Sequence, residues 1–355
     1  MKAAVLTGIR QIKIIEVPEP AHPAPSEVLL RVDMVGVCGS DVHYYAEGRI
    51  GTQNVTYPFR IGHEFSGTVL ETGEDVSELK PGDRVAVDPA VACGKCDQCL
   101  AGRENTCRDM RFLGCPEELA GCLCERIVMP ASCCVPISPG MTLAEGALVE
   151  PLSVGMYAVE HLSGIKPGQT VGILGCGPIG LSVLLPLVNK LGIKKVYATD
   201  RIDSRHMLAG KHGACWSGNP DKNNIVEAIL AREPAGLDMV FECCGKQEAL
   251  DQAVEILKPG GKLLMIGIPE GPRISFAVDR IRKKELCIQN VRRQNKFVKP
   301  AVDFITAGND VRFMITHTFP LEDAGKAFDL VDGYREGVVK AMIGLADRGV
   351  DLNFP

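Results

Sequence analysis

The sequence lacks an excess of positive charge. Its 39 lysines and arginines are outnumbered by 44 aspartates and glutamates, which gives a net charge of −5. Without a broad cationic surface, nucleic acid and an anionic membrane are poor candidates as partners. The hydrophobic fraction of 46% and the charged fraction of 23% are ordinary for a folded protein, and they exclude intrinsic disorder and collagen-like repeats.

The sequence also has no segment typical of export or of a membrane span. The apolar run at residues 1–6 is interrupted by Thr7 and Gly8, and it is too short for a signal-peptide core. The uncharged stretch 171–189 is broken by glycines and prolines, which suit a strand, a turn and a buried helix. We therefore expect a cytoplasmic protein whose 15 cysteines are thiols or metal ligands rather than disulfides.

The pattern of apolar residues predicts two domains and an α/β fold. Short runs of alternating polarity at 11–17, 27–32, 68–70 and 83–87 predict a β-rich, barrel-like domain over residues 1–152. Apolar runs at 170–174, 195–199, 238–241, 262–266 and 286–289 alternate with helical segments, which predicts a parallel sheet covered on both faces over residues 153–291. Helices at 299–307 and 321–332 and a strand at 338–343 follow, and we expect residues 292–355 to complete the first domain.

A glycine-rich turn follows the first strand of the second domain. Gly175, Gly177 and Gly180 form the GxGxxG pattern between an apolar strand and an apolar helix, which is the context that dinucleotide binding requires. Pro178 and Ile179 occupy the two positions between Gly177 and Gly180. The pyrophosphate of a dinucleotide would lie at the N-terminus of this helix. Pro186 falls inside the same helix and is expected to kink it.

An acidic residue lies about 20 positions beyond the glycine-rich turn. Asp200 ends the next predicted strand, where a carboxylate accepts hydrogen bonds from ribose hydroxyls. The same carboxylate would repel a 2′-phosphate, so the sequence favours NAD over NADP. Arg201 and Arg205 leave NADP open, because a nearby arginine can hold a 2′-phosphate.

Two groups of residues have the chemistry of metal ligands. Four thiols occur with the spacing Cys-x2-Cys-x2-Cys-x7-Cys, at Cys93, Cys96, Cys99 and Cys107. Four thiolates at this spacing can surround a structural Zn²⁺ with no open position, and an iron–sulfur cluster is the alternative. A second, dispersed group consists of Cys38, His63, Glu64 and Glu150.

The dispersed group would form a mixed sulfur, nitrogen and oxygen site. Three protein ligands and a water leave a position for substrate, as a catalytic zinc requires. From spacing alone, His63 and Glu64 could equally be a surface pair and Cys38 a core residue.

The sequence resembles the zinc-dependent medium-chain alcohol dehydrogenases, and in particular their polyol branch, which acts on sorbitol, xylitol or L-iditol. The resemblance rests on segments 38–44, 48–51, 62–67, 149–155, 175–180 and 316–322 together with the four-cysteine loop, and it runs nearly end to end. It implies a GroES-like catalytic domain, a Rossmann domain, two zinc ions per chain, NAD as cofactor and a homotetramer.

The resemblance also implies roles for individual residues of the metal sites. Cys38, His63 and Glu64 match the ligands of the catalytic zinc, and Glu150 matches a residue that either binds this zinc or holds its water. Asp41 matches the acid that orients the histidine ligand. The four-cysteine loop matches the structural zinc site.

Further matches concern the proton path and the substrate pocket. Ser40 and His43 match a proton relay, although a turn-capping serine and a solvated histidine are the simpler alternatives. Tyr44, Phe112 and Arg292 match positions that line the substrate pocket in sorbitol dehydrogenases.

The sequence departs from the polyol branch next to this pocket. Those enzymes often have tyrosine after the pocket arginine, whereas this chain has Arg293. A second cation there could favour a phosphorylated or carboxylated polyol, or it could point to solvent. A threonine or phosphorylated-polyol dehydrogenase of the same family is therefore an alternative.

Two readings from other classes are also open. A zinc-free quinone reductase of the same architecture would not have the Cys38 and His63 pair. A metal-buffering or redox-sensing protein could use the ten cysteines that lie outside both predicted metal sites, but most of these are expected to be small core residues.

Overall fold

The computed structural model describes residues 1–269 and 271–345, and these form two compact units. Among the described residues, the first unit consists of Met1–Glu150 and residues 298–345, and the second lies within Pro151–Phe297. The strands are β1 (Lys2–Gly8), β2 (Gln11–Glu16), β3 (Glu27–Gly36), β4 (Arg49–Ile50), β5 (Gln53–Asn54), β6 (Glu64–Thr72), β7 (Arg84–Val87), β8 (Ala90–Val91), β9 (Arg111–Phe112), β10 (Arg126–Pro130), β11 (Cys134–Pro136), β12 (Thr170–Leu174), β13 (Lys195–Thr199), β14 (Trp216–Gly218), β15 (Leu237–Glu242), β16 (Leu257–Met265), β17 (Cys287–Asn290), β18 (Ile315–Pro320) and β19 (Lys340–Gly344). The helices are α1 (Gly39–Glu47), α2 (Asp97–Leu100), α3 (Leu143–Met156), α4 (Pro178–Leu185), α5 (Asp203–Lys211), α6 (Ile225–Leu230), α7 (Gln247–Ile256), α8 (Val278–Lys283), α9 (Val298–Thr306) and α10 (Ala324–Asp332).

The first unit is built on a mainly antiparallel sheet in the order β11-β7-β6-β3-β19-β18, with β10 also paired to β3. Alternating residues of β3, among them Val28, Leu30 and Val32, are fully buried, as expected for a strand with one face on a core. The late strand β19 pairs with the end of β3 through Met342 opposite Gly36. The tail of the chain is thereby part of the same sheet as the early strands.

The second unit is a parallel sheet in the order β14-β13-β12-β15-β16-β17. Helices α4 to α8 connect its strands, and β12 is buried along its whole length, as strands covered on both faces must be. The strand order reverses beside β12. The carboxyl end of a sheet at such a reversal is where doubly wound folds bind ligands. Both units together confirm the predicted α/β class.

Two local features differ from, or refine, the sequence prediction. The short edge strand β14 was not predicted, because its three residues have no apolar run and only the parallel pairing with β13 defines it. At Pro186 the helix α4 ends and a π-helical turn, Pro186–Lys190, continues the chain. The predicted interruption is confirmed, and its cause is the missing backbone N–H of proline.

Among the described residues, no helix is long and apolar enough to cross a membrane.

Candidate active site

Strand register brings the predicted mixed metal ligands together. In the β3–β6 pair, Gly36 lies opposite Glu64, and Cys38 follows two residues later as the N-cap residue that precedes α1. A Cβ at position 36 would lie 2.4 Å from Glu64 Oε2, so a side chain there would displace the Glu64 carboxylate. Glycine at position 36 leaves space for the Glu64 carboxylate beside the backbone of β3. The Cys38 sulfur lies near the same carboxylate.

Cys38, His63 and Glu64 form a compact group of three different donor atoms. Their sulfur, nitrogen and oxygen atoms all lie within 4.8 Å of one another. His63 and Glu64 are buried and Cys38 is half-buried. This confirms the proximity that the sequence could suggest only weakly, and it shows that neither residue of the His63–Glu64 pair is on the surface.

Asp41 orients the histidine of this group. It is fully buried on α1, and its carboxylate lies 3.2 Å from His63 Nδ1 and accepts from the Gly62 backbone N–H at 3.2 Å. Burial alone would lower the pKa of His63, but Asp41 and Cys38 raise it above its ordinary value. Because Nδ1 is engaged by Asp41, Nε2 is the nitrogen left for a metal.

The residues predicted for a proton relay differ in their surroundings. Ser40 Oγ donates to the sulfur of Cys38 at 3.3 Å, so its hydroxyl lies at the metal group. His43 is half-buried on the same helix, and its Nδ1 lies 3.5 Å from Glu47 Oε1. The relay roles of both residues remain predictions.

Glu150 is buried near the metal group without joining it. Among the described residues, its carboxylate is not within the 4.8 Å group that Cys38 and His63 form with Glu64. Burial raises the pKa of Glu150 to about 7, the nearby Glu64 carboxylate adds to this, and His63 and Lys340 oppose it. Glu150 is therefore placed to influence the group electrostatically, and its predicted role as a direct ligand stays untested.

Sequence reasoning missed Lys340, which touches the metal group. Its side chain is 1% exposed, and its ammonium donates to Glu64 Oε2 at 2.6 Å and to the Val37 carbonyl at 3.0 Å. Burial would lower the pKa of Lys340, but the Glu64 carboxylate and the Cys38 thiol raise it. In the sequence, Lys340 is the one charged residue of the apolar run 338–343, and this could have indicated a buried, paired lysine.

Of the three predicted substrate residues, Phe112 lies beside the metal group, and Tyr44 lies on α1 three residues after Asp41. The ring of Phe112 packs against the ring of His63, with centroids 5.3 Å apart. The hydroxyl of Tyr44, whose pKa burial raises, donates to Gln53 Oε1 at 3.2 Å. The third residue, Arg292, belongs to the second unit and is exposed.

Glu118 links Phe112 and Gln53, and sequence reasoning did not single it out. Its Oε2 accepts from the Phe112 backbone N–H at 2.6 Å, and its Oε1 accepts from Gln53 Nε2 at 3.2 Å. A hydrogen-bonded chain thereby runs from Tyr44 through Gln53 and Glu118 to Phe112.

The four-cysteine loop converges in the first unit. The sulfur atoms of Cys93, Cys96, Cys99 and Cys107 lie within 4.8 Å of one another. Backbone N–H groups lower the pKa of Cys93 and bring that of Cys96 to about 6, whereas burial and neighbouring thiols raise that of Cys99 to about 12. Four thiols held this close have the chemistry of a site for one soft cation.

The glycine-rich turn of the second unit has the geometry that a dinucleotide needs. Gly175 has φ +98°, and a Cβ at Gly180 would lie 1.8 Å from the Gly175 carbonyl oxygen, so α4 packs this closely only with glycine there. Pro178 is the first residue of α4 and Ile179 the second, and Gly177 precedes them. The N-terminus of α4 follows directly after this turn, where a pyrophosphate is predicted to lie.

Asp200 lies against this turn at the end of β13. Its carboxylate accepts from the backbone N–H of Cys176 and of Ile202, both at 2.8 Å. Arg205 is buried on α5 beside Gly177, while Arg201 pairs with Asp221 at 2.8 Å. One of the two arginines that left NADP open is thus already paired with a carboxylate.

Family models match both parts of the chain. Residues 24–139 match the alcohol dehydrogenase GroES-like domain, and residues 178–307 match the zinc-binding dehydrogenase model. The chain is 35% identical over 347 residues to a sorbitol dehydrogenase of Bacillus subtilis, with 97% of each chain covered. It is 33% identical over 344 residues to a Rhizobium meliloti protein named as a D-xylulose reductase, with 96% of this chain and 98% of the relative covered.

Solved structures show the same architecture. An Escherichia coli oxidoreductase of unknown specificity superimposes with a TM-score of 0.92 at 33% identity, covering 98% of this chain and 99% of the other. A zinc-binding dehydrogenase of Sinorhizobium meliloti bound to NADP gives 0.87 at 32% identity, covering 97% and 99%. Galactitol-1-phosphate dehydrogenase of Escherichia coli gives 0.88 at 26% identity, covering 97% and 100%.

Proposed function

The chain belongs to the zinc-dependent medium-chain alcohol dehydrogenases, and we propose that it transfers hydride between a secondary alcohol of a polyol and NAD. The observation that carries the proposal is the group of Cys38, His63 and Glu64. It offers three unlike ligands and, among the described residues, no fourth protein ligand at the same distance. A zinc site with three protein ligands has room for a reacting oxygen, whereas a site with four does not.

The residues present fit a zinc ion. Thiolate, imidazole and carboxylate are the donors that zinc takes in proteins, and the orienting carboxylate of Asp41 is the usual partner of a zinc-binding histidine. Cys38, His63 and Glu64 would hold the catalytic ion, and the four-cysteine loop would hold a structural one. When bound, the catalytic zinc supplies Lewis acidity that lowers the pKa of a substrate hydroxyl.

The chain's own residues would handle the proton and the water. Ser40 Oγ lies 3.3 Å from the Cys38 sulfur, so it is the hydroxyl placed to accept a proton from an oxygen bound at the group. Glu150, with a pKa of about 7, can hold or give up a proton near neutral pH. Phe112 provides an apolar wall against His63 and excludes water from one side.

We propose NAD rather than NADP as the hydride acceptor. The Asp200 carboxylate at the glycine-rich turn would accept from ribose hydroxyls and repel a 2′-phosphate. The pairing of Arg201 with Asp221 supports this choice, because it leaves one cation fewer for such a phosphate. A related structure is bound to NADP, so the two cofactors need a direct comparison.

The proposed substrate is a free polyol of the sorbitol, xylitol or L-iditol type, oxidised as an L-iditol 2-dehydrogenase would oxidise it. The relatives named as sorbitol dehydrogenase and D-xylulose reductase support this class. The likeness to a galactitol-1-phosphate dehydrogenase supports a phosphorylated polyol as the second candidate. We further propose a cytoplasmic homotetramer, which light scattering of the purified protein would test.

A substrate panel tests the proposal. NADH and NADPH formation should be measured with sorbitol, xylitol, L-iditol, threonine and galactitol 1-phosphate, before and after incubation with a zinc chelator. Chelator-sensitive NADH formation with a free polyol is the expected result. Turnover with galactitol 1-phosphate alone would move the assignment to a phosphorylated substrate, and turnover that survives full zinc removal would overturn the proposed chemistry.

A further inference from the structure

A buried lysine holds one oxygen of a predicted zinc ligand. Lys340 Nζ lies 2.6 Å from Glu64 Oε2, and both side chains are 1% exposed. The ammonium also donates to the Val37 carbonyl at 3.0 Å, one residue before Cys38. Val37 N–H donates to the Ala341 carbonyl, so the pairing of β19 with the end of β3 places Lys340 beside the metal group.

This placement sets two cations, the ammonium and a bound metal, against one carboxylate. A metal cation and an ammonium attract the same carboxylate and repel each other, and burial weakens the screening of both effects. Lys340 therefore competes with a metal for Glu64. The contact uses Oε2, so Glu64 offers a metal its remaining oxygen while the ion pair is intact.

We propose that Lys340 is a positioning residue that makes Glu64 the weakest-held and most readily exchanged of the three metal ligands. The inference rests on the proposed function, because it takes Glu64 as a ligand of the catalytic zinc. If Glu64 leaves the metal, its charge remains paired with Lys340 in the interior, so no isolated buried charge is created. Neither Cys38 nor His63 has an ammonium hydrogen-bonded to its donor atom among the interactions that the structure records.

A purely structural role of Lys340 leads to the opposite expectation. If the ammonium only kept Glu64 in place for the metal, its removal would loosen the carboxylate and speed zinc loss. If Lys340 competes with the metal, its removal frees the whole carboxylate for zinc and slows zinc loss. The sign of the change in release rate separates the two roles.

The experiment measures zinc release from the full-length, zinc-loaded protein to a chelating dye. The variants are Lys340→Met, which removes the charge, and Lys340→Gln, which keeps a neutral hydrogen-bond donor. A Cys38→Ala protein identifies which kinetic phase belongs to the catalytic site. We expect this phase to slow by about tenfold or more in Lys340→Met, because the competing charge is removed from the interior, and by less in Lys340→Gln.

Two comparisons keep the result specific. In a Glu64→Gln background, Lys340→Met should slow release by clearly less than in wild type, because the ion pair is gone and only the direct repulsion between the ammonium and the zinc ion remains. Lys284→Met is the matched control: Lys284 is a half-buried lysine of the other unit that donates to the carbonyls of Val254, Glu255 and Leu257, and its loss should leave catalytic-site release unchanged.

The outcomes distinguish failure of this inference from failure of the proposed function. The positioning role would be overturned, with the zinc enzyme left intact, if zinc release is unchanged or faster in both Lys340 variants. It would also be overturned if Lys340→Met slows release equally in wild type and in the Glu64→Gln background. If Lys340→Met does not fold, the same decision rests on Lys340→Gln. A wild-type protein that binds zinc only at the four-cysteine loop would overturn the proposed function and this inference with it.

Discussion

Replacement of Glu150 by glutamine should change how the stability of the metal-free protein depends on pH. Burial raises the pKa of Glu150 from 4.5 to about 7. The folded chain therefore binds a proton that the unfolded chain has already lost between these pH values, so the stability that this group contributes falls as pH rises. At about 1.4 kcal/mol per pKa unit, the whole change is on the order of 3 kcal/mol.

Glu150→Gln removes this dependence, because an amide stays neutral at every pH. The variant and the wild type should have equal unfolding free energies near pH 4.5, apart from a constant offset for the substitution itself. Above pH 7 the variant should be more stable by about 3 kcal/mol relative to that offset. Urea unfolding of both metal-free proteins at several pH values measures the difference, provided the m-values agree.

An exposed carboxylate of the same unit provides the control. Glu74→Gln removes one negative charge at the surface and corrects for the loss of charge alone. A difference between Glu150→Gln and wild type that stays constant from pH 4.5 to pH 8 would mean that Glu150 is ionised throughout. The electrostatic account of its burial would then be wrong.

Three further predictions concern aspartates with separate tasks. Asp41→Asn should weaken zinc binding at the catalytic site by about 10- to 100-fold and leave the four-cysteine site unchanged, as zinc analysis at graded chelator concentrations would show; equal loss from both sites would refute the orienting role. Asp200→Asn should lower the ratio of kcat/KM for NAD to that for NADP by about tenfold or more, because the charge that repels a 2′-phosphate is lost; an unchanged ratio would contradict the cofactor assignment. In the second unit, burial alone would raise the pKa of Asp238. Hydrogen bonds from the Lys258 ammonium and from Thr170 outweigh burial, so this pKa falls from 3.8 to about 2. Asp238→Asn should therefore cost about 2 kcal/mol in urea unfolding at pH 7, and the difference should vanish as pH falls from 4 toward 2; an undiminished difference at pH 2 would show that the carboxylate charge is irrelevant.

The parts of the fold with a strong sequence period were predictable. The runs at 170–174 and 195–199 coincide with β12 and β13, because strands buried on both faces are continuously apolar and are bounded by turns. The edge strand β14 was missed, since only its backbone pairing with β13 defines it. Pairing between distant segments, such as β19 with β3, cannot be read from a local pattern.

The metal sites illustrate the same distinction. The four cysteines fall within 15 positions of one another, so their spacing alone predicted a cluster that the structure confirms. Cys38, His63 and Glu64 depend on the β3–β6 register, which residue spacing does not encode, so the residues suggested the grouping only weakly and the family resemblance strengthened it. Lys340 lies more than 270 positions from Glu64 and was not predicted by either route.

The proposed function requires that Cys38, His63 and Glu64 hold the zinc that performs the chemistry. The most direct test compares wild type with Cys38→Ala for zinc per chain, for NADH formation from the best polyol, and for NAD affinity by titration. We predict two zinc ions in wild type and one in the folded variant, loss of NADH formation, and nearly unchanged NAD affinity, because the cofactor turn lies in the other unit. Retention of turnover by a folded Cys38→Ala protein with a single zinc ion would contradict the central claim.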